Sequence, residues 1–435
     1  MPKRSIAIIG GGVAGLSAAV TLANANTNVT VFETNSQLGG RAKGIHYQGL
    51  TLDNGQHILL GAYRETLRLL ALTHAPLHET IQRLPLTLTV FDIANQSRFA
   101  LKAPAYLPAP LHILAGLLSA RGITPSDKWY ALRMMAWMKW HAFKLPQDEA
   151  LATFLARQHQ TKALSQLLWE PLCLAALNTP LQQASAQVFL NVLHDSFNQQ
   201  THDADVLLAK TDLTTLISTP WANYVTQQGG HILTNTTVKA IQQSADGYVL
   251  TTQDEETLFS HIIVATGPHQ IKHLAKTLPL LGQATQQFTY QPITTVYLQY
   301  DKNIRLSQPM LGMVNSTSQW VFDRGQVCGQ DGLIAVVISA HANLGIDQTD
   351  LAETIHSELI QLIPQLEKPI WHKVVTEKRA TFSCEANLAR PDNQTAYPNL
   401  YLAGDYTAGD YPATIEGAVR SGIVAANLIL RNNQH

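Results

Sequence analysis

The chain has 435 residues and a formal net charge of −1 at pH 7, with 46% hydrophobic and only 14% charged residues. A nucleic-acid partner is not expected, because binding to a polyanion needs a strong basic excess. The three cysteines, Cys173, Cys328 and Cys384, lie far apart, so they predict neither a disulfide framework nor a metal site, and a reducing, cytoplasmic compartment is the simplest fit.

The first elements along the chain predict one β–α–β unit. Residues 5–9 are typical of a buried parallel strand, residues 13–25 of an alanine-rich helix, and residues 28–33 of the next strand. Glycines interrupt the first apolar segment where strand turns into helix, and prolines interrupt a second uncharged segment over residues 103–120. We therefore expect no transmembrane helix.

The turn between the first strand and the helix fits the dinucleotide-binding pattern G-x-G-x-x-G, over Gly10, Gly12, Val13, Ala14 and Gly15. Gly10 permits the tight turn, Gly12 lets the backbone approach a pyrophosphate, and Gly15 lets helix and strand pack closely. Glu33 ends the second strand, where a carboxylate accepts hydrogen bonds from the adenosine ribose hydroxyls. The alternative is a chance glycine turn with a solvated glutamate.

Two further motifs favour an extended flavin dinucleotide. Gly40 and Arg41 follow Glu33, so that a glycine loop presses against the dinucleotide and the arginine pairs with the pyrophosphate. Near the C-terminus, Gly404 and Asp405 end a strand, and the aspartate is placed to bind the ribityl or pyrophosphate region. A helix beginning at Thr414 and Ile415 directs its N-terminus at the flavin ring. A solvated arginine and an ordinary turn aspartate are the alternatives.

The rest of the chain predicts a second unit inserted into the first. Its expected elements are a hairpin over 84–102, a mostly helical stretch over 110–219 cut by prolines, strands within 231–264, at 293–300 and at 333–340, and helices over 351–363 and 414–430. The predicted class is α/β, with a Rossmann-type FAD-binding domain of parallel sheet and helices and an inserted mixed α+β substrate domain. We assign residues 1–80, 220–275 and 390–435 to the former, and residues 81–219 and 276–389 to the latter, with a helical subdomain at about 104–219.

Taken together, the three motifs resemble the flavin amine oxidase and phytoene desaturase superfamily over essentially the whole chain. Residues 53–63, 169–180 and 403–416 are similar to its squalene-associated branch, the hydroxysqualene dehydroxylases. The resemblance implies FAD as cofactor, an apolar isoprenoid substrate (hydroxysqualene) and reductive removal of its allylic hydroxyl to give squalene in bacterial hopanoid and related triterpene synthesis. It also implies that Val238 offers its backbone N–H and C=O to the adenine, with a plain strand residue as the alternative.

In the chemistry that the resemblance implies, protonation of the hydroxyl lets water leave, and hydride from N5 of reduced FAD quenches the allylic cation. The candidate proton donors lie in segments expected to reach the flavin and are Asp53, His57, Glu170 and Asp410. A buried carboxyl with a raised pKa donates a proton near neutral pH. Each of the four has an alternative interpretation as a structural hydrogen-bonding group.

Residues 127–144 interleave tryptophan and methionine with basic side chains. This pattern is typical of a helix lying on anionic lipid, and equally of core packing around a hydrophobic tunnel. Peripheral contact with the inner face of the cytoplasmic membrane, and contact with neighbouring squalene-pathway enzymes, therefore stay open. Two other functions also stay open: a carotenoid-type desaturase or amine oxidase, which oxidise their substrates, and a non-catalytic flavin-binding protein.

Overall fold

The computed structural model describes residues 5–253, 255–285, 287–341 and 347–431. The strands of these ranges are β1 (Ile6–Ile9), β2 (Val29–Phe32), β3 (Gly44–Tyr47), β4 (Leu50–Asp53), β5 (Leu59–Leu60), β6 (Ile81–Leu84), β7 (Thr87–Asp92), β8 (Ser97–Lys102), β9 (Val206–Ala209), β10 (His231–Leu233), β11 (Ala240–Ser244), β12 (Gly247–Thr251), β13 (Glu256–Phe259), β14 (His261–Val264), β15 (Tyr290–Gln299), β16 (Met310–Val314), β17 (Trp320–Asp323), β18 (Leu333–Ser339), β19 (Trp371–Phe382) and β20 (Leu400–Leu402).

The α-helices of the same ranges are α1 (Val13–Asn24), α2 (Arg64–Leu72), α3 (Leu77–Thr80), α4 (Leu111–Ser119), α5 (Pro125–Trp140), α6 (Leu151–Arg157), α7 (Lys162–Leu164), α8 (Glu170–Leu177), α9 (Ala186–Phe197), α10 (Thr219–Gln227), α11 (Pro268–Leu274), α12 (Pro279–Gln283), α13 (Arg324–Cys328), α14 (Gln348–Ile360) and α15 (Ile415–Arg431). Short π-helical turns at Ser165–Trp169 and Thr214–Ser218 lead into α8 and α10. None of the helices described has both the length and the apolar character needed to cross a bilayer.

A five-stranded sheet in the order β10–β2–β1–β14–β20 carries the glycine turn. All its neighbouring strands run parallel. Strands β1 and β14 are buried at every position, because α1 and α15 cover one face of the sheet and the antiparallel sheet β11–β12–β13 packs on the other. Its strands come from both ends and the middle of the chain. This is the α/β arrangement that the strand positions predict, while the domain limits given above stay a prediction.

Helices α1 and α15 cross at very short range on this sheet. A Cβ atom added to Gly422 of α15 would lie 2.1 Å from Ser17 Oγ and 2.2 Å from the carbonyl oxygen of Ala14. The Ser17 hydroxyl also donates across the crossing to the carbonyl of Val419, at 3.2 Å. Segments about 400 residues apart in the sequence are therefore joined through one tightly packed helix pair.

A seven-stranded mixed sheet in the order β19–β15–β18–β17–β16–β7–β8 forms the second layer. One of its faces, which includes Val296 and Val336, packs on Ile355 of α14, whereas the other face includes Tyr297 and Val337 and belongs to the main core. Because both faces are covered, all seven residues of β18 are buried. The predicted hairpin matches β7 and β8, but the long strand β19 is an addition to the sequence prediction.

The prolines and one strand modify the prediction of a helical stretch over residues 110–219. Pro125 begins α5 and Pro171 occupies the first turn of α8, where a missing N–H costs no hydrogen bond, so neither of them cuts a helix. Within the predicted stretch, β9 pairs with β5 and β6 in a small antiparallel sheet.

Candidate active site

One cavity of about 1070 Å³ lies between the parallel sheet, the mixed sheet and helices α8 and α9. At one end it is lined by the glycine turn and the ends of β2, β14 and β20. The other end is apolar, with lining residues that include Leu88, Leu172, Phe189, Ile293, Trp320 and Phe322. We refer to these as the nucleotide end and the apolar end.

The turn after β1 requires glycine at two positions, for different reasons. Gly10 has φ +110°, and a Cβ there would lie 2.7 Å from the carbonyl oxygen of Ala265. A Cβ on Gly15 would lie 2.0 Å from the carbonyl oxygen of Gly10, so helix and strand approach as closely as the sequence predicts. Gly15 itself is not a lining residue, whereas Gly10, Val13 and Ala14 are.

The loop of Gly39 and Gly40 docks directly on this turn. The Gly39 N–H donates to the carbonyl of Gly11 at 2.9 Å, and Gly12 faces Gly40. A Cβ on Gly12 would find Gly40 Cα as its nearest neighbour, at 4.0 Å, so the space beside Gly12 is cavity. The backbone at Gly12 and Gly40 forms a concave surface, which we call the cradle. A side chain at either position would fill the cradle, which has the shape needed to bind a pyrophosphate.

Glu33 is buried and its carboxylate is fixed by three donors. Oε2 accepts the Gly11 N–H at 2.8 Å, and Oε1 accepts the backbone N–H and the side-chain amide of Asn35, each at 2.8 Å. A carboxylate has about four acceptor positions, so Glu33, which lines the nucleotide end, keeps acceptor capacity for a ribose hydroxyl.

Arg41 and Asp405 form an ion pair on the cavity wall. Arg41 Nη2 lies 2.7 Å from Asp405 Oδ2, and Arg41 Nη1 donates to the carbonyl of Ala380 at 2.6 Å. The neighbouring carboxylate raises the pKa of Arg41. Because the Arg41 side chain is 42% exposed, its guanidinium stays accessible to a diphosphate beside Gly404, which also lines the cavity.

The remaining predicted cofactor residues lie on the same cavity. Val238 is buried in the connection between β10 and β11 and lines the nucleotide end, as do Thr414 and Ile415. The Thr414 hydroxyl accepts the Gly417 N–H at 3.0 Å and so caps the first turn of α15, the end of a helix that attracts negative charge. The backbone cradle, the fixed carboxylate and the arginine together fit an extended dinucleotide.

Three of the four candidate acids do not line the cavity themselves, although neighbouring residues of their segments do. Asp53 is 2% exposed and lies behind the wall, where Oδ1 accepts the Leu213 N–H at 2.9 Å and burial raises its pKa to about 6. Burial also raises the pKa of Glu170, which lies at the junction of a π-helical turn and α8 without lining the cavity. Asp410 is exposed in a turn held by Asn191.

His57 is the one candidate acid that lines the cavity. Its Nδ1 lies 2.8 Å from the carbonyl of Gly55, which accepts the proton of that nitrogen and leaves Nε2 with no partner in the described ranges. Burial first, and the charge of Arg41 second, lower the pKa of His57. The imidazole is therefore neutral at pH 7, and its protonated form is a stronger acid than a free histidine.

Three lining residues that are not among the predicted site residues carry a buried polar atom without a partner in the described structure: Asn178 Oδ1, Thr266 Oγ1 and the hydroxyl of Tyr406. Buried polar atoms are nearly always hydrogen-bonded, so each of these atoms is expected to bind a ligand group or an ordered water. The sequence holds no direct signal for them, because the partners of Asn178 lie more than 100 residues away.

Comparison with known proteins agrees with the geometry. The family model described as flavin containing amine oxidoreductase matches residues 13–430. Curated relatives include the hydroxysqualene dehydroxylases of Zymomonas mobilis (28% identical, covering 98% of this chain and 99% of the relative) and Sinorhizobium fredii (28%, 99% and 99%). The zeta-carotene desaturase of Arabidopsis thaliana is 23% identical over 98% of this chain and 85% of its own.

Among solved structures, cyclohexylamine oxidase from Brevibacterium oxydans superimposes with a TM-score of 0.74, covering 100% of both chains at 14% identity. At this level of identity the likeness concerns the fold alone. The fold matches the α/β class predicted from the sequence.

Proposed function

The chain belongs to the flavin-containing amine oxidoreductase family and is an FAD-dependent oxidoreductase, and from that premise we propose that it removes the allylic hydroxyl of hydroxysqualene to give squalene. The proposal extends to a place in bacterial hopanoid or triterpene synthesis. It is supported by the relatives named hydroxysqualene dehydroxylase, which match this chain over its full length.

The observation that carries the proposal is the continuity of the two ends within one cavity. The acidic residues that line it are Glu33, Glu377 and Asp405. Glu33 and Asp405 belong to the nucleotide end, whereas Glu377 lies opposite Ile293 in the β15–β19 pair, where its Oε2 accepts the Asn54 amide at 3.4 Å. The aliphatic and aromatic side chains that dominate the apolar end offer an isoprenoid chain a surface of matching chemistry.

In this proposal the cofactor residues predicted from the sequence hold FAD. Gly12 and Gly40 admit the pyrophosphate, Arg41 neutralises it, and Glu33 accepts from the ribose. Val238 and the first turn of α15 contact the adenine and the flavin ring respectively. When bound and reduced, FAD supplies the hydride that takes the place of the hydroxyl on the substrate carbon.

We assign the proton to His57. Protonated Nε2 donates to the substrate hydroxyl, the C–O bond breaks, and the oxygen leaves as water; one proton and one hydride are consumed for each squalene formed. The Gly55 carbonyl holds the ring in one orientation throughout, because it binds the Nδ1 proton in both protonation states. The apolar walls keep water from the substrate carbon while it carries positive charge.

We further propose that the enzyme contacts the inner face of the cytoplasmic membrane through a surface on α4 and α5, which we call the aromatic–basic surface. Its exposed large apolar side chains are Tyr106, Leu111, Leu118, Trp129 and Trp140. Trp129 and Trp140 are three turns apart on one side of α5, whereas Met134 and Met138 are buried. Both alternatives for residues 127–144, core packing and lipid contact, therefore find support on opposite sides of this helix.

The charge of the aromatic–basic surface suits anionic lipid. Between residues 104 and 144 the sequence has five basic residues against a single acidic one, Asp127. Asp127 is buried, and its carboxylate accepts the N–H of Thr124, the N-cap residue of α5. We expect flotation with anionic vesicles, little flotation with neutral ones, and loss of flotation in Trp129→Ala/Trp140→Ala. Ile370→Ala, which changes an exposed apolar residue elsewhere on the protein, is the control. Equal flotation of the two variants would contradict membrane contact through the aromatic–basic surface. Contact with other squalene-pathway enzymes stays a prediction.

The reaction is tested by product identification. The FAD-loaded protein is incubated with hydroxysqualene and a chemical reductant without oxygen, and the product is identified by mass spectrometry. Squalene is the expected product, and a more unsaturated product would support the second candidate, a carotenoid-type desaturase, which the 23% identical plant relative favours. Unchanged substrate would leave a flavin-binding protein without this activity.

A further inference from the structure

Asn178 occupies an unusual position in the cavity wall. It follows the last residue of α8 with φ 47° and ψ 39°, a left-handed conformation in which asparagine is tolerated better than most residues. It is 3% exposed and lines the cavity close to Leu172, Leu174 and Ala176 of the same helix. The left-handed end of α8 thus holds a polar side chain in an apolar region of the wall.

The orientation of the Asn178 amide is fixed by the mixed sheet. Its Nδ2 donates to Thr381 Oγ1 at 2.9 Å and lies 3.4 Å from the carbonyl oxygen of Pro292. Rotating the amide by 180° would place Oδ1 against that carbonyl oxygen, which is repulsive. The nitrogen therefore faces β15 and β19, and Oδ1 is the atom left without a donor.

We propose that Asn178 Oδ1 accepts the hydrogen bond of the substrate hydroxyl, so that Asn178 is the residue that distinguishes a lipophilic alcohol from the corresponding hydrocarbon. The ligand must bring an O–H into an apolar cavity, since a hydrocarbon leaves the amide oxygen unsatisfied. By accepting the hydroxyl proton, Asn178 also leaves the lone pairs of the hydroxyl oxygen free to be protonated. The dehydroxylated product loses this bond, which favours its release.

This inference rests on the proposed function for the identity of the alcohol, but its test is binding rather than turnover. Hydroxysqualene, its O-methyl ether and squalene are titrated in detergent micelles against the oxidised, FAD-loaded enzyme, and binding is followed by the flavin absorbance. Wild type is expected to bind the alcohol at least about tenfold more tightly than either the ether or the hydrocarbon. If the ether, which keeps the oxygen but lacks the O–H donor, bound as tightly as the alcohol, the acceptor role of Asn178 would be refuted.

Asn178→Gly tests the residue itself, because glycine accepts the left-handed backbone without strain. It is expected to remove the preference for the alcohol while leaving squalene binding within about twofold. Asn191→Gly removes an amide from α9 outside the cavity and should keep the preference. An unchanged preference in Asn178→Gly overturns the inference; should that variant fail to fold, the ether titration of wild type decides alone.

The two failures are distinguishable. Turnover of hydroxysqualene by an enzyme that shows no preference for the alcohol refutes the role of Asn178 and leaves the proposed function standing. A clear preference for the alcohol, abolished in Asn178→Gly, in an enzyme that yields no squalene supports alcohol recognition and refutes the dehydroxylation.

Discussion

Replacing Glu33 by glutamine is expected to weaken FAD binding strongly. The carboxylate accepts from the Gly11 N–H on one oxygen and from two Asn35 donors on the other. Glutamine presents an NH₂ group to one of these donor sets, so at least one charge-assisted hydrogen bond is replaced by a donor–donor contact. The ribose hydroxyls simultaneously lose a charged acceptor.

A hydrogen bond to a charged group contributes about 1.5–3 kcal/mol, so losing the bond to the ribose predicts a rise in the Kd for FAD of about 10- to 150-fold. The assay is titration of the apoprotein with FAD, followed by quenching of flavin fluorescence. Glu79→Gln makes the same change at an exposed glutamate on the surface and should bind FAD like wild type. A Kd for Glu33→Gln within twofold of wild type, in a folded protein, refutes the assignment of this carboxylate to the cofactor.

Three more predictions follow from the same geometry. Gly40→Val fills the cradle and should abolish FAD retention on gel filtration. The control is Gly49→Val, because Gly49 has a similarly positive φ but no atoms within 4 Å of an added Cβ, and this variant should retain FAD. Loss of FAD from both variants would indicate an effect of backbone strain alone. Burial raises the pKa of Asp53 from 3.8 to about 6, so the folded state binds a proton that the unfolded chain lacks, and stability rises as the pH falls from 6 to 4. Asp53→Asn should therefore raise the free energy of unfolding at pH 8 by up to about 3 kcal/mol, seen as a higher urea midpoint, and should raise it little at pH 4. A lower free energy of unfolding for Asp53→Asn at pH 8 would contradict this. Because the pKa of His57 is lowered, the rate of squalene formation should rise as the pH falls below 6.5, and His57→Gln should lose this rise and about 10²–10⁴-fold in rate; an unchanged pH profile would remove His57 as the acid.

The β1–α1–β2 unit was predictable because its signals are local. Buried strands, a glycine turn and a carboxylate at the strand end lie within about thirty residues, and each limits its own backbone. Strand β19 lacks such a signal. Its charged residues Lys373, Glu377, Lys378 and Arg379 interrupt the apolar pattern that predicts a strand. They are tolerated because β19 is the edge strand of the mixed sheet and its second half lines the cavity.

The candidate acids show what a motif cannot specify. Similarity to a family indicates where a segment lies in the fold, but the direction in which a side chain points depends on the local backbone. Asp53 and His57 are four residues apart in the same motif, yet the carboxylate turns toward Leu213 and the imidazole toward the cavity. The unpartnered oxygen of Asn178 was equally hidden from the sequence, because it arises from contacts with β15 and β19.

The order of strands in the parallel sheet has a consequence for biosynthesis. The edge strand β20 and the pairing partner of Arg41 come from residues 400–405, which are synthesised long after the glycine turn. A growing chain therefore exposes half a nucleotide cradle until α15 has been synthesised and docks on α1. Cofactor loading must accordingly wait until Asp405 and α15 have been synthesised, and a polypeptide stalled before residue 400 should be colourless.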